Sequence, residues 1–134
     1  MIEIYTDGAC APTNPGKMGI GVVVYKDGRI IDTISKALGD GTSNQAELYA
    51  LQEALLYAKN NSLDAFTIKG DSKLAYFGTF GKWRISHPNI MGIAQQIKAL
   101  LKNFKSIDWY VIPREYNEVA DELSTRGLPP SRWY

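Results

Sequence analysis

Hydrophobic and polar residues alternate over the first third of the chain in the pattern of β-strands. Residues 2–9, 19–25 and 29–38 are rich in β-branched and aromatic side chains, and turn-forming residues separate the three segments. The pair Asp27-Gly28, between the second and third segments, is a typical hairpin turn. This part of the chain is therefore predicted to form three antiparallel strands.

The rest of the chain alternates between helical and extended patterns. The predicted elements are helices over 44–60, 72–79, 90–104 and 117–126, and strands over 63–69 and 107–112. Thr42, Ser43 and Asn44 supply capping residues for the first helix, and Asn89 is expected to cap the third. Three strands followed by alternating helices and strands predict an α/β fold, a mixed sheet whose later strands are parallel to the first.

Length and composition indicate one ordinary globular domain over residues 1–134. The chain is 45% hydrophobic and 22% charged, which excludes disordered and low-complexity classes. Cys10 is the sole cysteine, so a disulfide-stapled secreted scaffold is excluded. There is no apolar core of a signal peptide at the start and no apolar run of the roughly 20 residues that cross a bilayer. We expect a cytoplasmic monomer that does not bind a membrane.

Charge is distributed unevenly, although the whole chain has 15 basic and 14 acidic residues. Residues 66–114 contain eight basic residues and two acids, so the remainder is net acidic. A basic surface opposite an acidic cluster would suit a nucleic-acid partner, but a charge run of this size is more often a solvated face. The charge pattern alone leaves both explanations open.

The helix predicted over 44–60 has an acid on its apolar side. Its stripe of apolar residues, which includes Leu51, Ala54 and Leu55, reaches Glu47 when it is extended backwards by three and four positions. A glutamate at such a position costs desolvation energy unless it is paired, protonated or bound to a cation. Alternatively, Glu47 interacts with the helix dipole in the first turn and bends out to solvent.

Three further acids make the first explanation of Glu47 more attractive. Asp7 lies inside the first strand, where aspartate is normally disfavoured. Asp71 follows Gly70 at the end of the fourth strand, and Asp121 lies in the first turns of the last helix. Four carboxylates that converge would repel one another unless hard divalent cations such as Mg²⁺ or Mn²⁺ are bound. Two such ions about 4 Å apart can hold the attacking and leaving oxygens of a phosphoryl transfer.

Four motifs, in order along the chain, resemble those of type 1 ribonuclease H, which cuts the RNA strand of an RNA–DNA hybrid. The motifs are Tyr5-Thr6-Asp7-Gly8-Ala9-Cys10 with Asn14-Pro15-Gly16, Thr42-Ser43-Asn44-Gln45-Ala46-Glu47-Leu48, Gly70-Asp71-Ser72, and Asn117-Glu118-Val119-Ala120-Asp121-Glu122-Leu123-Ser124. The resemblance covers nearly the full length. It implies the ribonuclease H-like fold, a five-stranded mixed sheet of order 3-2-1-4-5 flanked by helices.

The resemblance also implies roles for individual residues. Asp7, Glu47, Asp71 and Asp121 match the four acids that bind two Mg²⁺ or Mn²⁺ ions in the family, and the products would carry 5′-phosphate and 3′-hydroxyl ends. Contacts to the 2′-hydroxyls of RNA are implied for Asn14, Ser43, Asn44 and Gln45. Contacts to the DNA strand are implied for Thr42, Lys82, Trp83 and Arg84. A core-packing role for Trp83 is almost equally consistent with the sequence.

The sequence departs from the bacterial pattern of the family in three places. Ser43 and Gln45 stand where an Asn and an Arg are usual, and the long basic handle is reduced to residues 81–88. The loop before the last helix has no histidine, which is a feature of archaeal and plant-like members. Arg114 is the candidate in that loop for binding the departing phosphate, because a guanidinium can form a bidentate pair of hydrogen bonds with a phosphate. A surface pair of Arg114 with Glu118 or Asp108 is the alternative.

Two other functions compete with the nuclease. A hybrid-binding module without catalysis would gain nothing from four mutually repelling carboxylates that face a polyanion. A metal-dependent enzyme with another substrate, such as double-stranded RNA or a DNA junction, is the second alternative. The sequence leaves a side activity on double-stranded RNA open.

Overall fold

A computed structural model describes residues 1–129, and residues 130–134 of the expected domain lie outside this description. The strands are β1 (Ile2–Ala11), β2 (Gly16–Lys26), β3 (Arg29–Gly41), β4 (Ala65–Gly70) and β5 (Ser106–Val111). The helices are α1 (Ser43–Asn60), α2 (Lys73–Thr79), α3 (Pro88–Leu101) and α4 (Glu118–Thr125), and a 3₁₀ turn spans Arg114–Tyr116.

The five strands form one mixed sheet in the order β3-β2-β1-β4-β5. β1, β2 and β3 pair antiparallel, whereas β4 is parallel to β1 and β5 is parallel to β4. The predicted fold class, sheet order and strand directions are therefore confirmed. The central position of β1 explains how Asp7 can meet acids that come from both halves of the chain.

Alternate residues of the strands face two cores of very different size. Ile4, Val22 and Val24 face the large core, which α1, α2 and α3 cover. Val23 belongs to a much smaller cluster on the other face, where it packs with residues of α4. Among residues 1–129, α4 packs mainly on β1, β2 and β3, and Asp108 and Tyr110 on that face of β5 are exposed.

The first hairpin is longer than its sequence pattern indicates. β1 continues to Ala11, which pairs with Lys17 across the turn. The antiparallel ladder thus extends beyond the apolar residues from which the strand was predicted. The Asp27-Gly28 turn is confirmed, and both residues have positive φ. β3 lies at the edge of the sheet and is largely exposed.

The start of α3 was predicted incorrectly. The helix begins at Pro88, His87 is its N-cap without a side-chain hydrogen bond, and Asn89 therefore lies inside the first turn. Proline favours the first helical position because its φ is already fixed there and its missing N–H would have no partner. None of the helices in residues 1–129 has the length and apolar character needed to cross a bilayer.

Candidate active site

Asp7 is at the centre of the acidic cluster, on the middle strand of the sheet. Its side chain is buried. The backbone N–H of Gly8 donates to Asp7 Oδ1 at 3.0 Å and to Glu47 Oε1 at 2.5 Å. One backbone donor thus connects two carboxylates from distant parts of the chain.

The close approach of α1 to β1 depends on Gly8. A Cβ atom at this position would lie 2.3 Å from the carbonyl carbon of Ala46, within the backbone of α1. The helix starts close by, where Thr42 and Gln45 form a capping box. A glycine in the strand and a fixed helix start therefore place Glu47 beside Asp7. Glu47 faces the cluster, so the alternative in which it bends out to solvent is not what the structure contains.

Asp71 joins these two acids from the end of β4. Carboxylate oxygens of Asp7, Glu47 and Asp71 all lie within 4.8 Å of one another. Asp71 Oδ2 is buried, and no hydrogen-bond partner for it exists among residues 1–129. The preceding residue, Gly70, lies against the ring of Tyr76, where a Cβ atom would be 2.6 Å from the ring. The end of β4 is thus packed on a buried aromatic side chain.

Asp121 approaches the cluster from the opposite face of the sheet. It lies outside the group of three, but it is close enough to Asp7 to raise the pKa of that carboxyl. α4 can pack closely on β2 because Gly21 has no side chain, and a Cβ atom there would lie 2.2 Å from the carbonyl oxygen of Ala120. The structure thus brings together three of the four predicted acids and leaves Asp121 beside Asp7, outside the group of three.

A buried hydrogen bond ties the start of α4 to β1. Asn117 is almost fully buried, and its Nδ2 donates to the carbonyl oxygen of Thr6 at 2.9 Å. On the other side of the strand, the Thr6 hydroxyl shares a 2.7 Å hydrogen bond with the Tyr76 hydroxyl. Thr6 precedes Asp7 directly, so both bonds hold the backbone that carries this acid. No pattern in the sequence indicated that Tyr76 and Asn117 position the backbone beside Asp7.

Burial and mutual repulsion raise the pKa values of the two central acids. Burial, followed by the nearby charges of Asp71 and Asp121, raises the pKa of Asp7 to about 8. The pKa of Glu47 is also well above its ordinary value because of burial and the charges of Asp7 and Asp71. An all-oxygen donor set that repels itself and includes an unpaired buried oxygen fits a hard divalent cation. The residues present thus satisfy the chemical requirement for a divalent metal site.

Asp7, Glu47 and Asp71 line a cleft of about 720 Å³ that also contains polar residues predicted to bind substrate. Ser43 and Asn44 form part of its wall. Asn14 lies next to them, since its Nδ2 donates to Ser43 Oγ at 2.8 Å and its Oδ1 accepts from the Ser43 N–H at 3.1 Å. This link fixes the loop between β1 and β2 against the start of α1.

Thr42 and Gln45 lie nearby, but their side chains are used within the protein. Thr42 Oγ1 accepts from the Gln45 N–H, and Gln45 Oε1 accepts from the Thr42 N–H. Gln45 Nε2 donates to the carbonyl oxygen of Asn89. His87 and Asn89 line a second groove together with Asn14, Thr42, Ser43 and Asn44. No pattern in the sequence indicated that these two residues lie beside the predicted substrate-binding residues.

Arg114 also lines the acidic cleft, on the 3₁₀ turn that follows β5. Its Nη2 lies 4.0 Å from Asp121 Oδ1, and the side chain is 80% exposed. Within residues 1–129 it forms no ion pair with Glu118 or Asp108, the partners considered in the alternative interpretation. Among residues 1–129, the long contact with Asp121 is thus the ion pair that the guanidinium makes at the rim of the cleft.

Lys82, Trp83 and Arg84 are exposed in the irregular segment between α2 and α3, and none of them lines the acidic cleft. The Trp83 ring stacks on Phe77 at 5.0 Å between centroids, yet half of the side chain stays exposed. The core-packing alternative for Trp83 is thus only partly realised. One face of the ring is supported by the protein, and the remaining surface is accessible.

Comparison with known proteins agrees with this geometry. A family model described as reverse transcriptase-like matches residues 5–127. Ribonuclease HI of Halobacterium salinarum is 35% identical over 95% of this chain and 64% of that protein. Ribonuclease H of Actinobacillus pleuropneumoniae is 30% identical over 95% of this chain and 90% of that protein.

Solved structures give the same result. The crystal structure of RNase H1 from Halobacterium salinarum has a TM-score of 0.89 at 33% identity, with 95% of this chain and 96% of that chain covered. LC11-RNase H1 in complex with an RNA/DNA hybrid has a TM-score of 0.86 at 30% identity, with 94% and 95% covered.

Some of the matching proteins are considerably longer than this chain. The chain spans 64% of the Halobacterium salinarum protein and 35% of a bifunctional protein of Mycobacterium tuberculosis. The matched region is nevertheless continuous, from Tyr5 to Gly127, and it contains all four acids. The sequence match, the sheet order and the arrangement of these acids together place the chain in the type 1 ribonuclease H family.

Proposed function

We propose that this chain is a metal-dependent endoribonuclease that hydrolyses the RNA strand of RNA–DNA hybrids. The observation that carries the proposal is the group of three carboxylates within 4.8 Å, with Asp121 beside it, in a cleft lined by polar side chains. A structural relative has been solved with an RNA/DNA hybrid, which supports this substrate. The proposal covers residues 1–134 as one domain.

Asp7, Glu47, Asp71 and Asp121 are proposed to hold two divalent ions, Mg²⁺ or Mn²⁺. Bound there, the ions would supply activation of the attacking water and stabilisation of charge on the phosphate. The chain contributes the positions of the acids, since the Gly8 N–H orients two of them and the burial of Asp7 restricts water around it. The products would carry 5′-phosphate and 3′-hydroxyl ends.

The remaining residues are proposed to position the substrate. Asn14, Ser43 and Asn44 offer short donors and acceptors at the rim of the cleft, and such groups suit 2′-hydroxyls in the shallow groove of a hybrid. Gln45 and Thr42 would contribute mainly by fixing the start of α1.

Basic side chains would bind the phosphates of the substrate. Lys82 and Arg84, with the exposed part of Trp83, are proposed to contact the DNA strand. Arg114 is proposed to bind the phosphate that leaves the cleft, because its guanidinium is exposed and lies at the edge of the acidic cluster.

The test is cleavage of end-labelled RNA–DNA hybrid, double-stranded RNA and double-stranded DNA by the purified protein, with Mg²⁺ or with EDTA. We expect the RNA of the hybrid to be cut only with Mg²⁺, and the fragments to be ligatable through their 5′-phosphates. Binding of hybrid without cleavage would identify a binding module instead. Robust cleavage in EDTA would contradict the metal-dependent mechanism.

A further inference from the structure

A third, smaller groove lies on the α4 side of the sheet and shares no lining residue with the acidic cleft. It has a volume of about 230 Å³ and is formed by the face of β1 and β2, the end of the 3₁₀ turn and the first turn of α4. We call it the tyrosine groove, and its principal side chains are Tyr5, Tyr25, Glu115, Tyr116, Glu118 and Val119. Its volume suits a single long side chain rather than a nucleotide or a drug-sized ligand.

Exposed aromatic and apolar surface at this groove is unusual for a solvated face. Tyr116 is 71% exposed and Val119 is 40% exposed. Tyr5 and Tyr25 pack edge to face at 5.3 Å between their centroids, so these two rings have a fixed orientation. Grouped aromatic residues that remain accessible mark binding surfaces more often than isolated ones do.

The charge of the groove determines which partner fits. Among the described residues that line it, Glu115 and Glu118 are the charged ones, and none is Lys or Arg. Two glutamates repel the phosphates of a nucleic acid. They attract a cation, and electron-rich tyrosine faces attract the same cation.

One cation held by a carboxylate and tyrosine rings is already present in the protein, on the neighbouring strand β4. Lys69 Nζ pairs with Glu3 at 2.8 Å and lies 5.5 Å from the centroid of the Tyr5 ring. It also lies 5.9 Å from the ring of Tyr110, which is 53% exposed on β5. A carboxylate and tyrosine rings on this face of the sheet thus hold a cation of the chain itself. The tyrosine groove offers the same chemistry: Lys69 lies over its Tyr5 ring, and no Lys or Arg of residues 1–129 lines the groove beside Glu115, Glu118 and Tyr116.

We propose that the tyrosine groove is a docking site for an arginine-containing basic segment of a partner protein. A guanidinium can stack on a tyrosine ring while it pairs with a carboxylate, which an ammonium does less well. The 3₁₀ turn links the groove to the active site, because Arg114 at its start lines the acidic cleft and Tyr116 at its end lines the groove.

The test uses a fluorescein-labelled peptide of Arg-Gly-Gly repeats, with Gln-Gly-Gly and Lys-Gly-Gly peptides for comparison. Binding to the purified protein is measured by anisotropy with saturating Mg²⁺, which neutralises the acidic cleft. Amide NMR spectra of the ¹⁵N-labelled protein then locate the bound peptide. We expect saturable binding of the arginine peptide, weaker binding of the lysine peptide and none of the glutamine peptide. Amide shifts are expected at Tyr5, Tyr25 and residues 115–119.

Two variants with the same change in net charge separate a docking site from general attraction. Glu115→Gln/Glu118→Gln is expected to weaken binding at least ~5-fold, the ratio that about 1 kcal/mol produces. Asp32→Asn/Asp40→Asn, which changes two exposed acids of the edge strand β3 that do not line the groove, is expected to leave binding within about 2-fold.

Four results would overturn the proposal. These are the absence of saturable binding, equal weakening by both double variants, amide shifts confined to the residues of the acidic cleft, and equally tight binding of the lysine peptide. None of them would affect the proposed nuclease function, which is tested with a different substrate and other residues.

Discussion

Two helices bring acids to β1 from opposite faces of the sheet, and they are held in different ways. α1, which carries Glu47, is fixed by the large core behind it and by backbone contact at Gly8. α4, which carries Asp121, has a small apolar cluster and relies on polar links such as the bond from Asn117 to Thr6. The difference indicates that the two sides of the acidic cluster can be perturbed separately. Substitutions on the α1 side should mainly lower the stability of the fold, and substitutions on the α4 side should mainly alter the acidic cluster.

The largest expected effect comes from the acid that both helices approach. Asp7→Asn should lower turnover at least ~10³-fold, about 4 kcal/mol of barrier, because it removes the central carboxylate. It should leave the metal-free protein folded, since one member of a repelling group is gone. Turnover of labelled hybrid and urea unfolding in EDTA provide the two measurements. Turnover within ten-fold of the wild type would remove Asp7 from the proposed mechanism.

The same variant should change how stability depends on pH in the absence of metal. The pKa of Asp7 is about 8 in the folded protein against 3.8 ordinarily, so the folded state keeps a proton that the unfolded chain loses between these values. The free energy of unfolding of the metal-free wild type should therefore fall as pH rises from about 4 to about 8. Asp7→Asn should flatten this decline and be at least ~1 kcal/mol more stable than wild type at pH 8. A decline that persists unchanged in the variant would assign it to other groups.

The α1 side is tested by Gly8→Ala, which should destabilise the protein by at least ~3 kcal/mol. The added Cβ would lie 2.3 Å from backbone atoms of α1, and neither element can move without disturbing the core. Gly92→Ala is the matched control, because a Cβ at Gly92 in α3 meets nothing within 4 Å. The control should be stabilised by about 0.5–1 kcal/mol through helix propensity. Equal unfolding midpoints for the two variants in urea would contradict the close contact.

The α4 side is tested by Asn117→Ala. Loss of the buried bond to Thr6 should destabilise the protein by about 1–3 kcal/mol and lower the affinity for Mn²⁺, measured by calorimetry, about 10-fold or more. Asn61→Ala removes an Nδ2 bond of the same length at the exposed end of α1 and should not change Mn²⁺ affinity. Unchanged Mn²⁺ affinity in Asn117→Ala would mean that this bond only supports folding.

The smallest effect is expected at the rim of the cleft. Arg114→Ala should lower turnover about 10-fold, equivalent to about 1.4 kcal/mol, with a smaller change in hybrid affinity. Its ion pair with Asp121 is long and exposed, so the stability of the protein should hardly change. A KM effect larger than the kcat effect would make Arg114 a substrate-binding residue rather than one that acts on the leaving phosphate.

Sequence patterns were sufficient to predict the sheet, and they singled out Asp7, Glu47 and Asp71, which the structure brings within 4.8 Å of one another. Strand alternation and helical stripes report directly which side of an element is buried, and Asp7 and Glu47 were conspicuous because they break those patterns. The start of α3 was misplaced because Asn89 is a good capping residue in isolation, while the fixed φ of Pro88 decided the boundary.

The support of the acids could not be predicted in the same way. The bond between Asn117 and Thr6 joins residues 111 positions apart, and no local pattern distinguishes a buried Asn from a helix-capping one. The role of Tyr76 was hidden for the same reason, because its hydrogen-bond partner Thr6 lies on a strand 70 positions earlier. Such contacts depend on how elements pack and not on their own sequences.

The shared N–H of Gly8 and the raised pKa of Asp7 have a further consequence for the arrival of a metal ion. Because the pKa of Asp7 is raised to about 8, we expect the metal-free protein to keep a proton there near neutral pH, which a bound cation would displace into the solvent. Binding of a divalent cation at the proposed site should therefore release a proton, and part of the heat of binding should come from the buffer that takes this proton up. The apparent affinity for the cation should rise with pH and level off once the pH is high enough for Asp7 to be ionised before the cation binds.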